Sequence, residues 1–155
     1  MYILGCVLIN SLGTGGAQTQ LKLRLQKSID VNNVVYYRGD MPEAFAPGEK
    51  DIYLSLGLGW RLSPLFFALY RCFLRRDIRL EVWSSNMLIL GIMLKLITIN
   101  SKLIVHERTV ESFHSDRYKL LRLLFVRYID EITANNKSQY NLLFKSFSGV
   151  IEVRY

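Results

Sequence analysis

Cysteine is scarce in this 155-residue sequence: Cys6 and Cys72 are the whole complement, and each sits inside an apolar run. A disulfide framework is excluded as the organising principle, and the pair reads as buried thiols of a reducing compartment. Proline is equally rare, at three residues, while half of the chain is apolar, which excludes a disordered or low-complexity chain. Long hydrophobic runs are missing too. The longest, at 87–94, is cut by Lys95 and falls far short of the ~20 residues that span a bilayer as a helix. The apolar start MYILGCVLIN has no Lys or Arg ahead of it and no small-residue cleavage site, and a turn follows at 11–16. It therefore reads as a buried strand rather than a signal peptide. Two histidines, His106 and His114, have neither cysteine partners nor i, i+4 spacing, so no metal site is expected. Acidic residues are the minority, thirteen against twenty Lys and Arg, for a net charge of +7. Such a balance attracts phosphates, nucleic acid or an anionic bilayer surface. Binding of single-stranded RNA asks for aromatics among basic residues on a solvated sheet face. The strands here read as apolar throughout and covered on both sides, which makes nucleic acid the weaker reading.

What is present is a chain long enough for one domain, burying roughly 70% of the surface its unfolded form exposes, and too short for a second. The run 2–9 is continuous and β-rich. After it come the turn Ser11-Leu12-Gly13-Thr14-Gly15-Gly16 and a polar segment with Leu21, Leu25 and Ile29 at helical spacing, which predicts strand, glycine turn, helix. Strands are expected at 33–37 and 51–56, separated by a long loop at 38–50 rich in Gly, Pro and charge. Ser63-Pro64 marks a helix start, with Ser as cap and Pro at the first helical position, running to about residue 76. Strand 78–83, turn 84–86, helix 87–97 and strand 102–106 continue the alternation. A helix at about 115–128, a strand at 131–134, a short helix at 137–147 and a strand at 150–153 complete it. Strands alternating with helices predict a single Rossmann-like, doubly wound, mostly parallel sheet flanked by helices.

In such a sheet ligands bind outside the carboxyl ends of the strands, near the point where strand order reverses. The candidate residues are therefore those at the strand exits. Gly15, Gly16, Ala17 and Gln18 open the first helix, where bare backbone amides and the helix dipole suit an anionic phosphate. A tight turn using glycine for its backbone freedom is the alternative at that point. No Lys-Ser or Lys-Thr follows the glycines, so the turn is no P-loop, and Gln18 stands where the dinucleotide fingerprint has its third glycine. Ser84, Ser85 and Asn86 follow the strand at 78–83 and can hydrogen-bond hydroxyl groups of a ligand, though they carry no proton at neutral pH. His106, Glu107 and Arg108 put a titratable ring, a carboxylate and a phosphate-binding fork within one turn. They read either as contacts to a phosphate or another ligand group, an acceptor's in the family resemblance given below, or as a buried strand-end histidine beside a local ion pair. Asn135 and Lys137 stand at the next exit, where a helix cap is the alternative for the asparagine.

The turn S-L-G-T-G-G-A-Q after an N-terminal strand resembles the opening of family 4 glycosyltransferases, which often read S-x-x-x-G-G-A-E/Q. KLIVHERT at 102–109 resembles that family's strand ending in H-E-R or T-E-H. DEITANNKSQ at 130–139 resembles its D-x-I-x-A-N-S-K segment, and the final GVIEVRY its strand before the interdomain hinge. The resemblance implies the N-terminal, acceptor-side domain of a two-domain GT-B enzyme at 1–155, with the C-terminal donor domain absent. Hexosyl transfer is then expected from a nucleotide sugar to a glycan or lipid-linked acceptor in cell-envelope polysaccharide synthesis, with no cofactor beyond that co-substrate and no metal. It further implies that Gly15 and Gly16 lie beside the donor diphosphate, with Ala17 and Gln18 starting the helix behind them. The family often places a histidine, as in H-x-H, where Ser84 to Asn86 stand here, so the catalytic residue is left unassigned. Expected partners are the nucleotide sugar, the acceptor and a separate donor-domain chain, with no nucleic acid.

The expected helices at 65–76 and near 118–127 mix apolar residues with Arg and Lys, which suits peripheral contact with an anionic bilayer from the cytoplasmic side. Packing on the sheet with snorkelling arginines at the rim is the alternative. Two other functions use the same strand-turn-helix start: a nucleotide- or dinucleotide-binding module and an inactive scaffold. A dinucleotide site asks for an acidic residue at the end of the second strand. Tyr36, Tyr37 and Arg38 stand there instead, with Asp40 a little late.

Overall fold

The computed structural model describes residues 4–13, 15–27, 32–42, 51–56, 77–98, 100–107, 126–134 and 150–153. These form strand β1 (Leu4–Leu8), helix α1 (Gly16–Lys27), β2 (Asn32–Tyr37), β3 (Ile52–Ser55), β4 (Ile78–Val82) and helix α2 (Leu88–Ile97), followed by β5 (Ser101–Glu107), β6 (Glu131–Ala134) and β7 (Val150–Val153). Short 3-10 turns at Ser85–Met87 and Val126–Tyr128 lead into α2 and β6. The expected helices at 65–76 and 137–147, and 115–125 of the third, lie outside the described residues. Among the described residues no helix is long and apolar enough to cross a membrane.

The strands make one sheet in the order β3-β2-β1-β4-β5-β6-β7. Every pairing is parallel. From β1 the chain winds outward to β2 and β3, then returns to place β4 on the other side of β1 and winds away to β7. Right-handed crossovers put helices of the two directions on opposite faces, and the core divides accordingly. On one face Leu21 and Leu25 of α1, one helical turn apart, pack with Val7, Ile9, Val35, Tyr37 and Trp83. On the other, Leu88, Leu90, Ile92 and Leu94 of α2 pack with Cys6, Leu8, Leu80, Val82, Leu103 and Val105. The period of two along each strand accounts for this split: Cys6 and Leu8 point one way, Val7 and Ile9 the other.

Helix α2 lies tight on the sheet at Gly91, where a Cβ would come within 2.5 Å of Val82 Cγ2. Gly39, just past β2, has φ +84°, and its carbonyl accepts a bond of 3.1 Å from the Ser55 hydroxyl. Strand ends stay tied beyond the ladder. The Ile9 N–H donates to Tyr36 O at 3.0 Å, Arg38 N–H to Asn10 O at 3.1 Å and Trp83 N–H to Leu8 O at 2.8 Å.

One expectation changes. The strands are not apolar throughout: β4 carries Arg79 and Glu81 on the α1 face, and Glu81 is completely buried. Neighbouring β5 and β6 carry Lys102, His106, Glu131 and Thr133 on that same face, paired along the register.

Candidate functional site

Strands β1 and β4 are neighbours whose connections leave in opposite directions, so the crevice at their carboxyl ends is the topological switch point of the sheet. The two exits are stitched together, because the Asn10 N–H donates to Ser84 Oγ at 2.8 Å. Ser84 is thus half-buried at the crevice with its hydroxyl oxygen already accepting a backbone bond, while Asn86 is exposed beside it. Ser85 starts the 3-10 turn there, and Met87 N–H closes that turn onto Ser84 O at 2.9 Å.

Across the crevice the β1 exit runs into the glycine turn. Gly15 and Gly16 are exposed and Ala17 and Gln18 half-buried. The first intrahelical bond of α1 is Thr19 N–H to Gly15 O, 3.1 Å, reinforced by the Thr19 hydroxyl on the same oxygen at 3.0 Å. The amides of Gly16, Ala17 and Gln18 therefore precede the ladder, and with the helix dipole they form the positive end of α1. The Gln18 side chain folds back over the turn, its Nε2 donating to Ser11 O at 3.3 Å and Ser11 Oγ at 3.4 Å. A Cβ on Gly15 would lie 2.5 Å from Gln18 Oε1, so glycine is what lets that side chain cross the turn.

Below the rim lies a polar cluster centred on Glu81, whose side chain is 0% exposed. Arg79 Nε stands 2.7 Å from Oε1, and Arg24 of α1 pairs with the same oxygen. The other oxygen, Oε2, accepts from the Trp83 indole N–H at 3.2 Å and faces His106 Nε2 at 3.4 Å. Trp83 and His106 stack with ring centroids 4.0 Å apart at 23°. On its far side His106 Nδ1 lies 2.7 Å from Thr133 Oγ1. Nε2 thus carries its proton toward the carboxylate, while Nδ1 lies against the threonine hydroxyl. Burial pushes the Glu81 carboxyl up. The His106 hydrogen bond and the charges of Arg24, His106 and Arg79 outweigh it and hold the carboxyl down at about 2, so Glu81 is an anion at any physiological pH. Cys6 is the opposite case. Burial, and after it the Glu81 charge, pushes its thiol up to about 12, which leaves no thiolate for nucleophilic work.

Of the residues expected from sequence, the glycine turn (Gly15, Gly16, Ala17, Gln18) and Ser84 to Asn86 meet at the switch point. His106 is placed behind that rim, 4% exposed and with both ring nitrogens engaged. Glu107 ends β5 at the adjacent exit. Arg108, Asn135 and Lys137 lie outside the described residues. Sequence reasoning missed Glu81, its partners Arg24, Arg79 and Trp83, and Thr133 on the far side of His106. The signal was a glutamate at the middle of a strand expected to be covered on both faces, where an anion must find cations. Among the described residues no three His, Cys, Asp or Glu side chains converge as a metal cluster would require.

No family model matches the chain, and neither does any curated protein. Solved structures do, five chains in all. One is the Anabaena protein HepE in complex with UDP and glucose, which superposes on the whole of this chain with a TM-score of 0.66 at 17% sequence identity. The chain spans 44% of that protein's length. At this identity the likeness establishes a shared Rossmann-like fold.

Proposed function

We propose that residues 1–155 form the acceptor-side domain of a GT-B glycosyltransferase of the family 4 type, which transfers a hexosyl group from a nucleotide sugar to a glycan or lipid-linked acceptor. The observation that carries the reading is the glycine turn at the N-terminus of α1, opening across the switch-point crevice from the β4 exit. An acceptor hydroxyl attacks the anomeric carbon there, its proton is released to solvent, the bond to the leaving diphosphate breaks, and negative charge grows on the diphosphate. The amides of Gly16, Ala17 and Gln18 are the groups of this chain suited to take up that charge. The order of the family-like segments and a fold shared with a protein crystallised with UDP and glucose support the reading.

In this reading the nucleotide is held mainly by a second, donor-binding domain that these residues do not include, and no metal ion is needed. Ser84 and Asn86 face acceptor hydroxyls, Glu107 and Arg108 reach the acceptor or its phosphate, and His106 supports them from behind. Asn135 and Lys137 are assigned to the same class of contact, to the acceptor or its phosphate. The work belongs to envelope polysaccharide synthesis at the cytoplasmic face of a membrane, where the basic surface meets anionic lipid.

Titration calorimetry with a panel of UDP and GDP sugars tests this, using the chain alone and then mixed with the donor-binding domain. No tight binding alone, with binding and sugar transfer by the mixture, is the expected result. Binding of a nicotinamide dinucleotide, or an inert mixture, overturns it.

A further inference from the structure

Glu81 sits between apolar register neighbours, Val7 on β1 and Ile104 on β5, at a position where an aliphatic side chain would pack without any charge to satisfy. Replacing a buried ion pair with apolar residues is often neutral or stabilising, so the demand of the core does not account for a carboxylate here. Its partners do have something in common. Arg24 belongs to α1, the helix that begins at the glycine turn. Trp83 is the first residue past β4, directly before Ser84, whose oxygen holds the β1 exit through Asn10. His106 directly precedes Glu107 at the β5 exit and is tied onward to β6 through Thr133. One carboxylate is thus bonded to the glycine-turn helix, to β4 and its exit, and to the end of β5, two partners on each oxygen.

We propose that Glu81 is a positioning residue: a buried clamp that fixes the glycine-turn helix, the β4 exit and the β5 exit relative to one another, so that the walls of the crevice keep one spacing. Its consequence for sugar transfer rests on the glycosyltransferase reading; the clamp itself does not. Small displacements of groups that orient reactants cost rate far more than they cost binding. Loss of the clamp therefore lowers kcat while leaving KM nearly unchanged.

The test uses the full chain with Glu81→Gln, Glu81→Leu and Arg24→Met. Amide and indole NMR spectra report Gly15, Gly16 and the Trp83 side chain directly. Both Glu81 variants are expected to fold, to move the Trp83 indole N–H resonance and to move the Gly15 and Gly16 amides. Arg24→Met, which cuts only the helix arm, is expected to move the glycine amides and leave the Trp83 indole in place. With the donor-binding domain added, the Glu81 variants are expected to lose on the order of 10- to 100-fold in kcat with KM within about threefold. Folded Glu81 variants whose glycine amides and indole resonance stay where they are overturn the clamp, as does full kcat in the mixture. If the Glu81 variants fail to fold, Arg24→Met decides alone, and unmoved glycine amides overturn it. Resonances that move as expected while wild type shows no transfer support the clamp and refute the glycosyltransferase reading instead.

Discussion

Replacing Glu81 by Gln has an effect on stability that can be worked out against pH. The folded carboxyl is held at about 2 against its ordinary 4.5. Because the folded value is the lower one, its contribution is fully present above about pH 4.5 and is lost as pH falls toward 2. The gap between those values corresponds to about 3 kcal/mol, with no discount for solvent because the carboxylate is fully buried. More than half of that loss is complete at about pH 3. Urea unfolding of wild type and Glu81→Gln at pH 6, 4.5, 3 and 2.5 isolates the contribution, since every other carboxylate is common to both proteins. Wild type is expected to lose about 2 to 3 kcal/mol more than the variant between pH 6 and 2.5. The variant is expected to lose only what the remaining acids contribute. Stability curves that run parallel over this range would refute the reasoning, because they would mean that Glu81 titrates alike in the folded and unfolded chains.

Two further substitutions test the packing of α2 and the role of the glycine turn. Gly91→Ala gains about 1 kcal/mol of helix propensity but drives a Cβ to 2.5 Å from Val82 Cγ2, with Leu103 Cδ1 at 3.4 Å and Leu8 Cδ1 at 3.7 Å behind it. Overpacking of about 1–3 kcal/mol wins, and a thermal melt is expected to fall by roughly 2–4 °C; a rise in Tm contradicts the close approach of α2 to β4. Gly15→Ala meets only the far end of the Gln18 side chain, 2.5 Å away, which can swing off Ser11 at a cost under about 1 kcal/mol. Its Tm is expected to stay within about 3 °C of wild type. Its transfer rate with the donor-binding domain is expected to fall about 10- to 100-fold, because the added methyl displaces the diphosphate from the amides that follow, and unchanged transfer removes the turn from the neighbourhood of the diphosphate.

Periodicity carried the fold well because each element of this sheet is specified locally. The run that closes as β1 and the leucines at 21 and 25 that bury α1 state their faces within a few residues. The strands expected at 131–134 and 150–153 occur at those positions, and the others differ at their ends by one or two residues. The switch point was legible for the same reason, since it follows from element order and from the glycine turn. The Glu81 cluster was not, because its parts come from far along the chain: Arg24 lies 57 positions before the glutamate, and His106 is placed beside it only by the pairing of β4 with β5.

Two readings that were each available do imply the cluster when joined. Ile78, Leu80 and Val82 alternate with Arg79, Glu81 and Trp83, which describes a strand polar on one side. The βα alternation on both flanks describes a central strand covered on both sides. A strand that satisfies both must bury its glutamate, and a buried carboxylate survives only with cations and hydrogen bonds brought to it. Glu131 on β6 is buried too, but it pairs with a lysine that is itself exposed. A position where local pattern and tertiary environment conflict, and where the chain supplies two arginines, an indole and an imidazole to hold the conflict in place, is where function is expected to have overruled packing. Its location fits that inference: Glu81 lies one layer beneath the crevice, bonded to what forms its walls.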